Sequence, residues 1–306
     1  MLCDWHSATL SRYTQQLAQP LQLGNFQLQQ RQGLYLELRF QDGRLGRGEI
    51  APLPGFSEET LAQAEQQVIA CLQGHPQHRL YPSVAFGLDC AMAGEPPEAN
   101  FNDSCLLLKG DWQHCQQILE QQPSDLAKLK VARQSPKQDI ELIQALQKHY
   151  PQLRLRLDAN RSWIWNQAIF IIENIDLSRI EYIEEPLNNP QQSAMLAERT
   201  GVGIGLDESL QDSNYRYRYF KGLKALIMKP SLLGPWHRCL SLLEQAHADQ
   251  VACVFSSAYE SRLGLSWIKA LAQQYTPNQP AGLDTLRAFS EAPPEIEIIQ
   301  HFQHNS

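Results

Sequence analysis

Five short segments from residue 127 onward each end an apolar run on a charged residue. They are Ala127-Lys128-Leu129-Lys130-Val131, Leu157-Asp158-Ala159-Asn160, Ile183-Glu184-Glu185-Pro186, Leu206-Asp207-Glu208-Ser209 and Ile227-Met228-Lys229-Pro230. Lys130, Asp158, Glu184, Asp207 and Lys229 stand about 22–28 residues apart, room for one strand, one helix and two loops each time. A βα barrel displays its functional side chains in this way, at the C-terminal ends of successive parallel strands. Three carboxylates converging on one mouth form a site for a hard divalent cation. With lysines on the flanking strands, the combination suits removal of a proton beside a carboxylate.

Strand parity sharpens the pattern, because alternate residues share a face. Lys128 and Lys130 point one way, and Ala127, Leu129 and Val131 point the other, under the helices. Arg154, Arg156 and Asp158 share a face, as do Ile227 and Lys229. Gly203, Gly205 and Asp207 share another, which is expected to leave room beside the carboxylate. A lone aspartate at a strand end reads equally well as a cap or turn former. Five charged groups in register on buried strands do not, because they are costly unless paired or metal-bound.

The rest of the chain fits this reading. Its 306 residues hold one barrel and a smaller domain, and 43% hydrophobic with 19% charged residues is globular composition. A net charge of −7 without any basic block argues against nucleic acid as a partner. No apolar run approaches the roughly 20 residues of a membrane helix. The start, Met1 to His6, lacks the basic end and apolar core of a signal peptide. Seven cysteines without a CxxC pair read as reduced packing thiols, which points to the cytoplasm.

Residues 1 to about 95 read as α+β. Strands are expected at 34–40 and 46–50, and a helix over about 58–73 with Ser57 as its N-cap. A second helix is expected from 83 to 92, and Glu95-Pro96-Pro97-Glu98 marks a boundary. Beyond it, strands are expected at 104–108, 126–131, 153–158, 181–184, 202–206, 224–229 and 251–255. Helices alternate with them, at 135–149, 163–174, 190–200 and 235–248 among others, as a parallel barrel requires.

These segments, with the lysine pair on the second barrel strand, resemble the enolase superfamily and its muconate-lactonizing-enzyme-like subgroup. The loop Gly48-Glu49-Ile50-Ala51-Pro52-Leu53-Pro54-Gly55-Phe56-Ser57 narrows the resemblance to the o-succinylbenzoate synthase family of proteobacterial type. So do Arg31-Gln32-Gly33-Leu34, Pro82-Ser83-Val84-Ala85-Phe86-Gly87, Arg154 to Arg161, Ser256-Ser257-Ala258-Tyr259-Glu260-Ser261 and Gly282-Leu283-Asp284-Thr285. The resemblance runs from about residue 30 to about 286. Arg262 departs from it, where relatives often carry a small residue, and 100–123 matches poorly.

The resemblance implies an α/β fold: a modified (β/α)7β barrel (96–284) with an α+β capping domain (1–95 plus about 285–306). It implies Mg²⁺, with Mn²⁺ taking similar oxygen ligands, and a small-molecule substrate of menaquinone biosynthesis. Asp158, Glu184 and Asp207 become the metal ligands. Glu185, of opposite parity to Glu184, falls behind them with Asn160 and Glu208. Lys130 becomes the general base, Lys128 its support, and Lys229 the charge across the ring. Ser256 and Ser257 are expected at the succinyl carboxylate. Arg156 is open to a substrate-facing or a buried structural role, and the 48–57 loop to a binding or a packing role. A monomer is expected. Two rivals stand beside this reading: N-acylamino acid racemisation or dipeptide epimerisation on the same site, and a barrel kept as a non-catalytic scaffold. The absence of a DxD pair near Asp284 weighs against the epimerase.

Overall fold

Alternation of apolar and polar residues marks a half-buried strand, and segments of this kind from both ends of the chain pair into one antiparallel sheet. The computed structural model describes residues 5–23, 26–75, 77–101 and 103–303. Strands β1 (Trp5–Leu23), β2 (Phe26–Phe40) and β3 (Leu45–Ile50) precede helices α1 (Leu61–Leu72) and α2 (Pro82–Ala93). Leu34, Leu36, Leu38 and Phe40 of β2 are buried in one apolar cluster with Val68 and Leu72 of α1 and Val84 and Leu88 of α2.

Helix α1 starts later than the sequence suggests. Thr60 is its N-cap, accepting from Gln63 N at 3.3 Å while Gln63 Oε1 accepts from Thr60 N at 2.8 Å. Ser57 has a threonine three residues on and cannot form this reciprocal box. Its Oγ instead accepts from Leu53 N at 2.8 Å and closes the preceding loop.

A run of strand–helix units follows: β4 (Leu106–Leu108), α3 (Trp112–Gln121), β5 (Leu126–Lys130), α4 (Pro136–His149), β6 (Arg154–Asp158), α5 (Trp165–Glu173), β7 (Ile180–Glu184), α6 (Ser193–Thr200), β8 (Ile204–Leu206), α7 (Glu208–Gln211) and β9 (Leu223–Met228). Then come α8 (Pro230–Leu233), α9 (Trp236–Ala248), β10 (Ala252–Phe255), α10 (Arg262–Tyr275) and β11 (Glu295–Gln303). Strands β4 to β10 form one sheet in sequence order, and β11 joins the first sheet in the order β11-β1-β2-β3. Beyond β10, Ser256 bridges Gly282 in parallel. The fold class is a modified (β/α)7β barrel with an α+β domain of the capping type.

Contacts divide the chain into two compact units. The first falls within Met1–Asn102, Lys229–Ser241 and Phe255–Ser306, the second within Asp103–Met228 and Leu242–Val254. Among the described residues no helix is long and apolar enough to cross a membrane. Cys71, Cys90, Cys105, Cys115, Cys239 and Cys253 are free thiols, all but Cys71 buried.

Candidate active site

In the second unit the parallel register sets the site. Lys130 lies opposite Asp158, Asp158 opposite Glu184, and Glu184 opposite Gly205. One residue beyond β8, Asp207 completes a group of three buried carboxylates, each offering one oxygen within 4.8 Å of those of the other two. Leu129 and Leu157, of opposite parity, are fully buried. The outward face of each strand therefore packs in the core while the inward face carries charge.

Two ammonium groups enter this cluster. Lys128 Nζ lies 2.7 Å from Asp158 Oδ2 and 2.5 Å from Glu184 Oε2. Lys130 Nζ donates to Asp158 Oδ2 at 2.6 Å and to Asn160 Oδ1 at 2.9 Å. The Asn160 amide is held in turn, its Nδ2 donating to Glu208 Oε1 at 2.9 Å. Burial opposes the charge on Lys128, but Asp158, Glu184 and Asp207 outweigh it and hold its pKa well above the usual lysine value. Burial likewise opposes ionised Asp158, yet Lys128 and Lys130 bring its pKa well below the carboxylate range. Glu184 is pushed up to about 7, first by burial and then by the like charges of Asp158 and Asp207, against the pull of Lys128. Three carboxylates against two ammonium groups leave an excess of negative charge on converging hard oxygen donors. That donor set fits a divalent cation.

Glu185 is fully buried and points away from this cluster. Its Oε1 accepts from Asp207 N at 3.0 Å and Ser209 N at 2.7 Å, and its Oε2 from Arg161 Nε at 3.0 Å. It thus fixes the backbone that carries Asp207. Arg161 was not singled out in the sequence. Its signal in the sequence is its place directly after Asn160, and in the structure both residues are left-handed, at φ 43° and 58°.

Arg156 lies one layer below Asp158, 2% exposed. Its Nε donates to Glu181 Oε2 at 2.7 Å, and its guanidinium sits 5.3 Å from the centre of the Tyr182 ring. Arg154 reaches the same Glu181 from a more exposed position. The room expected beside Asp207 is not open. A Cβ on Gly205 would lie 2.9 Å from both Ile227 Cδ1 and Tyr182 Cδ2, and 3.3 Å from Glu184 Cγ. Glycine there lets neighbours close in rather than leaving a void.

The remaining candidates belong to the first unit. Lys229 directly follows β9 and is the N-cap residue of α8. Ser256 Oγ donates to Gly282 O at 3.3 Å. Ser257 Oγ donates to Glu260 Oε2 at 2.8 Å and accepts from Tyr259 N at 2.8 Å and from Thr285 Oγ1 at 2.9 Å. A hydroxyl has one donor and two acceptor positions, so all three are used within this segment. The loop after β3 is tied to the same segment by Arg31, which the sequence offers only as part of the Arg31–Leu34 stretch, without a role. Its guanidinium, 2% exposed, donates to the carbonyls of Ala51 at 2.5 Å, Pro52 at 2.8 Å, Gln32 at 2.9 Å and Tyr259 at 3.1 Å. Pro52, Pro54 and Gly55 line one side of a groove of about 690 Å³ whose other side is β2. Arg262, the departure from the family pattern, packs its guanidinium 5.9 Å from the centre of the Phe101 ring.

A parallel barrel sheet with three buried carboxylates at successive strand ends, and a lysine pair beside them, defines an enolase-type domain. The family profile described as "Enolase C-terminal domain-like" matches residues 112–293, and the one described as "MenC, N-terminal domain" matches residues 5–95. The o-succinylbenzoate synthase of Pasteurella multocida is 39% identical, with 90% of this chain and 88% of that relative aligned. That of Edwardsiella ictaluri is 40% identical, with 91% and 90% aligned. The chain belongs to the o-succinylbenzoate synthase family of the enolase superfamily. Among solved structures, the o-succinylbenzoate synthase of Thermosynechococcus elongatus, complexed with Mg in its active site, superposes with a TM-score of 0.76 at 27% identity. That match covers 94% of this chain and 95% of the other. A dipeptide epimerase from Enterococcus faecalis, 18% identical with a TM-score of 0.77 over 95% and 93%, shares the fold.

Proposed function

We propose that this chain is an o-succinylbenzoate synthase. It is a hydro-lyase that removes water from 2-succinyl-6-hydroxy-2,4-cyclohexadiene-1-carboxylate to give o-succinylbenzoate for menaquinone biosynthesis. The observation that carries the reading is the buried Asp158–Glu184–Asp207 cluster with Lys128 and Lys130 bonded into it. The chain's relatives at 39–40% identity bear that enzyme's name. We assign residues 1–95 with about 285–306 to the capping domain and 96–284 to the catalytic barrel. We assign Mg²⁺ to the carboxylates, with Mn²⁺ as the alternative that the same oxygen donors accept. The Mg in the Thermosynechococcus synthase supports the choice. A cytoplasmic monomer is our working assignment, and the free thiols support a reducing compartment.

A divalent cation held by Asp158, Glu184 and Asp207 supplies fixed positive charge where negative charge builds on the substrate carboxylate as the ring proton leaves. Lys130, nearer the C-terminal end of β5 than Lys128, takes that proton. Asn160, oriented by Glu208, steadies its ammonium form. The same ammonium then delivers the proton to the departing hydroxyl. A C–H and a C–O bond break, water leaves, and the ring becomes aromatic. Lys128 balances Asp158 and Glu184. Lys229 is assigned to stabilise the developing negative charge and to lie against the ring as a cation–π partner. At the succinyl end we assign Ser256 and the backbone around Ser257, whose hydroxyl is already committed. Arg156 supports the layer beneath Asp158.

The test is turnover by the purified, chelator-treated chain with Mg²⁺ or Mn²⁺ restored, followed by the appearance of the aromatic product. Cation-dependent conversion is expected, lost in Lys130→Ala and reduced less in Lys128→Ala at saturating cation. No conversion by the wild-type chain, with N-succinyl amino acids racemised instead, would replace this reading with the racemase.

A further inference from the structure

Glu260 has entered so far only as the acceptor of the Ser257 hydroxyl, yet it stands where two segments of that site are tied together. It is 1% exposed. Its Oε1 accepts from Ser231 Oγ at 2.5 Å, and its Oε2 accepts from Ser257 Oγ at 2.8 Å and Ala258 N at 2.7 Å. A carboxylate only accepts, so each of these donors must point inward. Ser257, having given its proton to Glu260, can only accept from Tyr259 N and Thr285 Oγ1, and it does both. One side chain therefore sets the hydrogen-bond directions of the Ser256–Glu260 segment and of Thr285.

Its other arm reaches the turn that carries Lys229. Ser231 is two residues beyond Lys229, in α8, and the Lys229 carbonyl accepts from Leu232 N and Leu233 N at 2.9 Å each. Pro230 fixes the intervening φ. The lysine's backbone is thus held by β9 on one side and by the Ser231–Glu260 bond on the other. Room for Glu260 comes from α10. A Cβ on Gly264 would fall 2.8 Å from Glu260 Cβ and 2.6 Å from Glu49 Oε2. The fold accepts a side-chain-free position in the first turn of that helix, and a buried acid lies beside it.

We propose that Glu260 is a positioning residue that sets Lys229 for the reaction by anchoring the 229–233 turn to the Ser257–Ala258 segment. The inference rests on the synthase reading above. Glu260→Gln keeps the shape but turns an amide N–H toward one of the donors. Amide exchange at Leu232, Leu233 and Gly234 should then quicken roughly tenfold or more, because the turn loses a bond to a charged acceptor. Turnover should fall on the order of tenfold to a hundredfold in kcat, as for a small displacement of a reacting group, with little change in KM.

The decisive comparison is made in the Lys229→Ala background. If Glu260 acts through that lysine, adding Glu260→Gln there costs no more than about twofold, since residues acting as one unit are non-additive. A purely structural role would give the full loss again, and that result overturns the proposal. Unchanged exchange at 232–234 overturns it too. Ser231→Ala, which removes only one of the three bonds, carries the same comparison should Glu260→Gln fail to fold. A wild-type chain without turnover would sink the synthase reading alone, because the exchange measurement needs no substrate.

Discussion

Lys128 stands between two buried carboxylates, and its worth depends on what else neutralises them. Removing one member of a buried ion pair typically costs about 3–5 kcal/mol, because the partner is left charged and dry. Lys128→Met should therefore lower the thermal midpoint of chelator-treated protein strongly, and saturating Mg²⁺ should restore most of the loss. Equal losses with and without the cation would show that the carboxylates do not share a metal. Glu49 offers a second test at this scale. It is 2% exposed and accepts from Tyr13 OH at 2.5 Å, Ser261 N at 2.9 Å, Ser261 Oγ at 2.6 Å and Gly264 N at 2.8 Å. Burial raises its pKa, against the bonds from Ser261 and Tyr13. The folded chain then binds this proton more tightly than the unfolded chain does. The stability so gained is full below the ordinary glutamate value and is lost as pH rises through the folded one. Glu49→Gln should flatten the fall of Tm across that acidic window. A slope identical to wild type would assign the titration to another group.

Among the elements, α1 gives the cleanest contrast. Thr60→Ala removes the cap and should cost about 1 kcal/mol in chemical denaturation. Ser57→Ala instead loosens the loop at Leu53 without the cost of a lost cap, and equal effects would contradict the assignment. The barrel strands lie within one or two residues of their expected places, and in the five from β5 to β9 the apolar run is cut off by the charged residue that serves the site. β1 was hidden for physical reasons. Its buried residues switch face between Leu10 and Ser11, where the pairing with β11 shifts register, so Ala8 and Leu10 share one parity and Ser11 and Tyr13 the other. Pro20 and a polar second half removed the remaining alternation. The site was legible in the same uneven way. Asp158, Glu184 and Asp207 follow from parity and spacing, which are local. The commitment of Ser257 and the clamp by Arg31 depend on groups brought together from distant segments, which no local pattern encodes.

At the scale of the whole molecule, the first sheet is completed from opposite ends of the sequence, with Ser7 opposite Gln303 and Thr14 opposite Glu295. Ending the chain at residue 294 would remove the buried Phe302, a loss of roughly 3–5 kcal/mol, and would leave β1 as an open edge. Such a chain should sediment as concentration-dependent aggregates. A monomer with wild-type Tm would show β11 to be dispensable. The same pairing has a consequence in time. A ribosome adds about 5–20 residues each second, so β2 emerges roughly 15–50 seconds before its sheet can be closed by β11. Throughout that interval β1 is a nineteen-residue strand lacking one of its neighbours, while the barrel strands that emerge later can pair with the strand made just before them. Synthesis rate, and whatever shields a nascent edge, therefore bear on the yield of this protein, as its final stability does.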